Sequence, residues 1–390
     1  MSIRAIKPLE SGSGGVPSLI GGPLHRFGAR LGLVDAVQGR SVPMGIAIGG
    51  VLWAGIALLA LLSGSLDVAF SLGVLGGHVR PLVAIPLFFV CETMLGPHLR
   101  RLAEGLRMAE IVRGDQSDRF EAAIARFNAH VTSAPAEIAC LLLAAGPVFL
   151  TLGVAGPGRT AFSGPEAFGP AGMWYFYLCL PVFRFLLLRW LWRLVQWNMF
   201  LWRVSRLDLH LVPTHPDRTG GLGYIAVVQA IFGSLLMAAS AVLAASIAEE
   251  IASTGAALSH YYSYFVAVAL IYAVIFILPL YVFARQLRLT RARGLASYMD
   301  FATAYVTAFE AKWMRGNRAD QELLGTADLQ SLADLGNSVR VVEEMRVAPV
   351  NQTLLMALAL SAVVPFLPLL LFQFPLNQLI ERVVLMLFSA

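Results

Sequence analysis

The densest group of potentially reactive side chains lies in one short loop between two apolar stretches. Two imidazoles and two carboxylates fall within ten residues there: Asp208, His210, His215 and Asp217. Such groups are the ligands that proteins offer to divalent metals, and a chain reversal at Pro213 would bring the two halves of the loop together. One prediction is therefore a divalent metal as cofactor, or a catalytic site, although the spacing matches no standard zinc signature.

The same loop supports two other interpretations. The His-Pro-Asp sequence is typical of a rigid turn, and Asp217 or Thr219 would then cap the following helix. Alternatively, Arg218 and the N-terminus of that helix would contact an anion or a lipid headgroup, because a guanidinium and unpaired backbone N–H groups both attract negative charge. From the sequence alone the three interpretations remain open.

Two charged residues inside apolar stretches form the second candidate site. Counted at about 1.5 Å per helical residue, Glu92 lies roughly 18 Å and Arg184 roughly 16 Å from the outer ends of their stretches. An ionised side chain at such depth in a bilayer is costly and often marks an ion path. We expect Glu92 and Arg184 to pair or to line one water-filled cavity, either as a structural ion pair or as part of an ion or proton pathway.

Two further arginines, Arg189 and Arg193, follow one turn apart on the same stretch, among Trp190, Trp192 and Trp197. Long basic side chains near the end of a spanning helix commonly extend to lipid phosphates. We expect this for Arg189 and Arg193, with a cationic inner vestibule that favours anions as the alternative.

A line of aromatic residues marks a segment that lies outside the spans. Its members are spaced by three or four residues: Tyr298, Phe301, Tyr305, Phe309 and Trp313. Only a helix places all five rings on one face. We expect this aromatic stripe to pack against an amphipathic helix within 98–135 or, alternatively, to form an interface between subunits or helices.

Composition explains where these residues must sit. Hydrophobic residues make up 57% of the chain and charged residues 14%, with a mean hydropathy of +0.70, and this balance requires an apolar solvent. We predict an all-α, polytopic membrane helix bundle of about seven spans with cytoplasmic helical extensions. The predicted spans are 44–64, 81–97, 136–154, 172–195, 222–246, 262–284 and 352–373, of which the second is the shortest.

The spans divide the chain into segments with different expected locations. We assign 1–43 to a cytoplasmic N-terminal segment, 98–135 to cytoplasmic amphipathic helices and 285–351 to a cytoplasmic helical insert. Spans 1–2 occupy 44–97 and spans 3–6, with the 208–223 loop, occupy 136–284. The remainder, 352–390, holds the last span and an amphipathic C-terminal helix over 375–388.

The distribution of basic residues predicts the orientation. With the N-terminus inside, the inner segments carry 23 Lys and Arg residues, whereas the outer segments before the last span carry only Arg80 and Arg159. Lys and Arg accumulate on the cytoplasmic side of membrane proteins, so a cytoplasmic N-terminus is expected. The net charge of +5 is then explained by basic residues that mark the cytoplasmic segments. We therefore expect membrane lipids rather than nucleic acid as partners.

Two motifs suggest kinship. The HPDRTGGL run at 215–222 and the SLADLGNS run at 331–338 resemble a family of uncharacterised bacterial inner-membrane proteins. This resemblance extends over most of the chain and implies a bacterial inner membrane, but it implies no activity.

Functional hypotheses follow from what is present and what is missing. The sequence has no Walker loop, GxSxG elbow, HExxH or CxxCH motif, so an enzyme is the less favoured class. Buried charge without such a motif favours a membrane transport protein, a homo-oligomeric ion channel or transporter. The alternatives are a non-catalytic scaffold or accessory subunit that binds a protein through its cytoplasmic helices, and a metal- or lipid-dependent membrane enzyme.

Overall fold

The chain folds into an all-α bundle. The computed structural model describes residues 15–19, 21–35, 39–153, 169–315 and 327–373, and within these ranges it contains helices and two isolated β-bridges but no strand. The predicted all-α fold is therefore confirmed. The predicted C-terminal helix over 375–388 lies outside the described residues.

Fifteen α-helices are described. They are α1 (Gly22–Arg30), α2 (Val42–Leu62), α3 (Leu66–Ala69), α4 (Leu75–Val79), α5 (Ile85–Met108), α6 (Ser117–Val131), α7 (Ala134–Gly153), α8 (Gly169–Trp174), α9 (Leu180–Val204), α10 (Tyr224–Ile231), α11 (Gly233–Thr254), α12 (Tyr262–Phe276), α13 (Ala284–Trp313), α14 (Ala327–Glu343) and α15 (Gln352–Val363). One π-helical turn joins α4 to α5 (Arg80–Ala84) and another joins α8 to α9 (Tyr175–Cys179). Short 3₁₀ segments lie at Leu72–Val74, Gly114–Gln116, Leu258–Tyr261, Leu278–Phe283 and Val364–Phe372.

Seven helical stretches in the described ranges are long and apolar enough to cross a membrane, so the chain is a multi-pass membrane protein. They are Val42–Leu62, Leu72–Met108, Gly114–Pro147, Gly169–Val204, Tyr224–Thr254, Leu258–Trp313 and Gln352–Phe372. Each overlaps one predicted span. The sixth is the longest and extends well beyond its predicted 262–284, reaching 56 residues. The second extends beyond its prediction at both ends, because the helix continues through Pro97 and the stretch reaches 37 residues.

Close packing of α5 and α11 forms the centre of the bundle. Helix α2 approaches α5 at two glycines: a Cβ at Gly45 would collide with the Phe89 ring, and one at Gly49 with the carbonyl oxygen of Pro81. Helix α11 is rich in Ala and Ser and packs on both α5 and α15. Small residues let membrane helices approach closely, where dispersion forces stabilise their contact.

The predicted amphipathic helix is present as α6, but its partner differs from the expected one. Its apolar face is fully buried and consists of Phe120, Ile124, Phe127 and Val131. This face packs on α9, where Phe120 and Phe127 both contact the ring of Phe200. The expectation that the aromatic stripe packs on this helix is therefore wrong.

The aromatic stripe lies on α13, which pairs with α14 instead. The hydroxyl of Tyr305 donates to the carbonyl of Asp328 (3.1 Å), and the indole of Trp313 donates to its carboxylate (3.0 Å). Trp313 is buried, Tyr298, Tyr305 and Phe309 are half-buried, and Phe301 is 61% exposed. The stripe is thus divided between a helix hairpin and an open surface.

Candidate functional site

Five ionisable side chains from distant parts of the chain meet inside the bundle. They are His25 on α1, Glu92 on α5, Glu137 on α7, and Arg189 and Arg193 on α9, and each is at most 6% exposed. We call this group the Glu92 network. Burial of so many ionisable groups is costly unless they are paired and hydrogen-bonded, so their geometry determines what they can do.

The carboxylate of Glu92 is the centre of the network. One oxygen, Oε2, accepts from Arg193 Nη1 (2.7 Å) and from Arg189 Nη1 (3.3 Å), and the other, Oε1, contacts His25 Nε2. Three positive or potentially positive groups therefore surround a carboxylate that is only 1% exposed. Charge-assisted contacts of this kind offset the cost of removing the carboxylate from water.

The predicted partner of Glu92 was Arg184, and the structure replaces it with Arg189 and Arg193. The reason lies in where the spans begin. The second stretch begins at Leu72, not 81, and the fourth at Gly169. Glu92 and Arg189 each lie 20 residues after the first residue of their stretch, so they lie at the same depth. Arg184 precedes Arg189 by about one and a half helical turns and is therefore nearer to the start of its stretch.

The predicted lipid contact of Arg189 and Arg193 is also corrected. Their side chains are 2% and 1% exposed, so neither extends from the protein towards lipid phosphates, and neither lines an open vestibule. Arg189 Nε donates to Glu137 Oε1 (2.9 Å), and Arg193 Nη2 donates to the carbonyl of Leu19 (2.7 Å). The sequence signal of basic residues among tryptophans does not distinguish an inward-facing side chain from one that faces lipid.

Glu137 connects the network to the first turn of α1. Its Oε2 accepts from the backbone N–H of Leu24 (3.1 Å). At Gly22, where φ is +85°, a Cβ would lie 2.7 Å from Glu137 Oε1. Glycine is required there for both reasons, because a side chain would be strained and would displace the carboxylate.

His25 is the member of the network whose hydrogen-bonding role depends on which ring nitrogen carries a proton. Two carboxylates and two guanidiniums balance, so the net charge is zero with neutral imidazole and +1 with imidazolium. Its Nδ1 lies 2.7 Å from the carbonyl of Gly21 and 3.0 Å from Arg189 Nη2. Neutral His25 can donate through Nε2 to Glu92 and accept at Nδ1 from Arg189, whereas protonated His25 must donate at Nδ1 to the Gly21 carbonyl.

The segment that precedes α1, the helix that carries His25, is hydrogen-bonded to neighbouring helices. Gly15 N–H donates to Glu121 (2.8 Å), and its carbonyl accepts from Arg107 (2.6 Å). Asn128 bonds both the N–H of Ser18 (2.8 Å) and the carbonyl of Val16 (2.9 Å). This Gly/Ser/Pro-rich part of the chain therefore folds against α5 and α6.

Sequence reasoning missed His25 and Glu137 as members of the site. His25 has no partner at a recognisable spacing, and Glu137 is a single carboxylate at the start of an apolar stretch. The only available signal was that carboxylate, because an acidic residue in a spanning helix commonly faces the bundle interior.

Arg184 belongs to a second polar group, which we call the Arg80 cluster. It comprises Arg80, Tyr175, Arg184 and Glu249. Arg80 Nη1 donates to the Tyr175 hydroxyl (2.6 Å), and Glu249 Oε1 accepts from the backbone N–H of Gly76 (2.6 Å). Arg184 directly follows Phe183 on α9, and the ring centroid of Phe183 lies 5.9 Å from the guanidinium carbon of Arg80.

The loop at 208–223 is built as a turn. The Asp217 carboxylate accepts from the backbone N–H groups of Thr219 (2.8 Å), Gly221 (3.0 Å) and Gly223 (2.8 Å), directly before α10. Burial alone would raise the pKa of Asp217, but these N–H groups favour the ionised form and hold it below its ordinary value. The turn interpretation is thus the one that the geometry supports.

The four predicted metal ligands do not converge. His215 Nδ1 lies 2.8 Å from Asp217, but Asp208 and His210 line a separate pocket of about 490 Å³ together with Arg113, Arg293 and Tyr298. Among the described residues, no group of three or more His, Cys, Asp or Glu side chains is arranged to hold a metal ion. The predicted metal site at Asp208, His210, His215 and Asp217 is therefore wrong.

Arg218, the predicted anion ligand, has a protein partner. Its Nη2 lies 2.8 Å from Glu344 Oε2, and its carbonyl accepts from the N–H of Arg346 (2.7 Å). Arg218 has a φ of +58°. The loop is thereby attached to the segment that follows α14.

Comparisons with protein-family models, with curated proteins and with solved structures each find no match.

Proposed function

We propose that the chain is a membrane transport protein, a channel or transporter in which the Glu92 network controls the passage of an ion or proton. The supporting observation is the network itself: five ionisable side chains, almost inaccessible to solvent, inside a bundle of apolar helices. Such groups are expensive in a membrane and usually serve ion or proton movement.

The position of His25 favours proton-linked transport. Histidine is the side chain whose ordinary pKa lies closest to neutral pH, and a proton on Nδ1 would replace acceptance from Arg189 by donation to the Gly21 carbonyl. Proton uptake would then weaken the hydrogen bond from Arg189 to His25, which joins α9 to α1. The charge state of the network and the attachment of α1 are thereby coupled.

We further propose a bacterial inner-membrane location with a cytoplasmic N-terminus. The excess of Lys and Arg in the predicted inner segments supports the orientation, and the HPDRTGGL and SLADLGNS motifs support the origin. In this orientation residues 15–19 and 21–30 would lie on the cytoplasmic side, where Gly15, Val16 and Ser18 bond to α5 and α6, and lipids would surround the outer faces. Because the network lies inside one chain, each protomer of a homo-oligomer would have its own path.

Flux into liposomes tests the proposal. Purified protein would be reconstituted with an internal pH-sensitive dye, and an imposed pH step or membrane potential would drive ions. We expect flux above that of empty liposomes, and a reduction of at least tenfold in Glu92→Gln. Background flux for the wild type under both driving forces would refute the proposal.

Glu104→Gln is the matched control, because Glu104 is an exposed carboxylate on the same helix. We expect wild-type flux from this variant. Both variants must first elute as single species in mild detergent, so that lost flux is separated from misfolding.

A scaffold or accessory subunit is the second candidate, and the hairpin of α13 and α14 favours it. The exposed side of α13 includes Met299 (47%), Phe301 (61%) and Val306 (40%). Exposed apolar surface of this kind can serve a protein interface. Purification in mild detergent should then yield a stoichiometric partner that Phe301→Glu releases, whereas a homogeneous single-chain species argues against this candidate.

A further inference from the structure

The Arg80 cluster contains a guanidinium that lacks a protein acceptor. Arg184 Nη1 is buried and has no hydrogen-bond partner among the described residues. Arg184 directly follows Phe183, whose ring centroid lies 5.9 Å from the guanidinium carbon of Arg80, so the nearby cation carries a like charge. A charged donor in an apolar medium is unfavourable unless an acceptor meets it. This orphaned N–H group therefore suggests a ligand.

The charges of the cluster do not balance. The cluster contains two guanidiniums, Arg80 and Arg184, and one carboxylate, Glu249, which lies beside Arg80 at Gly76 and is already bonded by Gly76 N–H. His78 adds no charge in the neutral form that its contacts favour, because its Nδ1 accepts from Trp53 and its Nε2 lies 2.7 Å from the carbonyl of Ala69. The cluster thus has a net charge of +1, in contrast to the balanced carboxylates and guanidiniums around Glu92.

The available groups are hydrogen-bond donors. The Tyr175 oxygen accepts from Arg80, so its own hydrogen is free to donate. Arg80 and Tyr175 are the first residues of the two π-helical turns found in the described part of the chain. Such turns are rare and frequently lie at functional sites, where the extra residue redirects side chains.

We propose that the Arg80 cluster binds a small, singly charged anion of halide size, held by Arg184, the Tyr175 hydroxyl and the positive field of Arg80. One negative charge completes the balance of the cluster and supplies the acceptor that Arg184 Nη1 lacks. The inference deepens the proposed transport function, because it makes a small anion the transported or co-transported species.

Thermal unfolding in detergent tests the site without any flux assay. Sodium chloride would be titrated against sodium gluconate at constant ionic strength, since gluconate is too large to substitute for a halide. We expect a saturable rise of the unfolding midpoint with chloride for the wild type. Arg184→Gln should weaken the apparent affinity at least tenfold, and Arg126→Gln, which removes an exposed arginine of α6, should leave it unchanged.

Tyr175→Phe provides a second variant if Arg184→Gln fails to fold. It removes one neutral donor while keeping the ring, so we expect chloride affinity to fall about fivefold. Equal stabilisation by chloride and gluconate, or equal chloride affinity in the wild type and the Arg184→Gln or Tyr175→Phe variants, would overturn the inference.

The two proposals fail separately. Glu92-dependent proton flux without a chloride effect on unfolding would leave the transport function standing and eliminate the anion site. Chloride binding that Arg184→Gln abolishes, together with background flux under every driving force, would support the site and remove the transport function.

Discussion

The Glu92 network and the 208–223 loop contain similar side chains and use them in opposite ways. Each has two carboxylates, at least one imidazole and at least one arginine. In the network the carboxylates are paired with side chains from other helices, at exposures of 6% or less. In the loop Asp217 is bonded to the backbone of its own turn, and Arg218 forms a half-exposed ion pair.

The difference shows that spacing along the chain is a poor guide to chemistry in this protein. The loop concentrates four potential ligands within ten residues, yet Asp217 shapes a turn and Asp208 and His210 face elsewhere. The network joins side chains that lie between 52 and 164 residues apart along the chain. Substitutions in the two regions should therefore differ in cost, and the following predictions run from the largest expected effect to the smallest.

Glu92→Gln should give the largest loss of stability. The substitution leaves Arg189 and Arg193 buried without their shared counter-charge, and breaking a buried ion pair from one side costs about 3–5 kcal/mol. Urea unfolding in detergent measures the change in the free energy of unfolding. A loss below about 1 kcal/mol would mean that the network does not hold the bundle together.

Asp217→Asn should cost less, about 1–3 kcal/mol. The amide keeps the size of the side chain but replaces one acceptor oxygen by a donor, which faces backbone N–H groups of the turn. The same unfolding measurement applies, with Asp115→Asn as a control on an exposed carboxylate. An unchanged free energy of unfolding would show that the turn does not need its carboxylate.

Asp217 should also contribute to acid sensitivity. Its folded-state pKa lies below the ordinary value of 3.8, so its stabilising effect is complete above that value. The contribution is lost as the pH falls through the lower folded-state pKa. We expect wild-type stability to decline more steeply below about pH 4 than that of Asp217→Asn, and parallel declines would contradict the assigned role of the carboxylate.

Arg218→Ala should have the smallest effect, at most about 1 kcal/mol. The Arg218 and Glu344 side chains are 48% and 41% exposed, and ion pairs of such exposure are largely screened by water and salt. The small cost should shrink further at high salt in the same unfolding experiment. A larger loss that is insensitive to salt would place Arg218 in the structural core of the loop.

The helical architecture could be read from the sequence because apolar length is a local property. Each predicted span, such as 44–64 or 352–373, overlaps a described helix, since a run of about 20 apolar residues has few other stable arrangements. The ends were harder to predict. The second span was predicted at 81–97, whereas the helical stretch begins at Leu72, passes through a π-helical turn at Arg80–Ala84 and continues past Pro97 to Met108.

The candidate site was only half predictable, and the reason is geometric. Glu92 could be identified as a buried carboxylate from its apolar neighbours alone. Its partner was predicted by comparing how many residues separate each charged residue from the outer end of its span. The second span was started too late in the sequence, and the expected partner at equal depth was therefore Arg184 instead of Arg189. His25 could not be found in this way, because the fold of the N-terminal segment against α5 and α9 is a tertiary contact without a local pattern.

A double-mutant cycle on the free energy of unfolding tests the central claim most directly. Glu92→Gln would be combined with Arg193→Gln in one cycle and with Arg184→Gln in the other. We predict a coupling energy of about 1–3 kcal/mol with Arg193 and additivity within about 0.5 kcal/mol with Arg184. Strong coupling to Arg184 with additivity at Arg193 would contradict the account of the buried network.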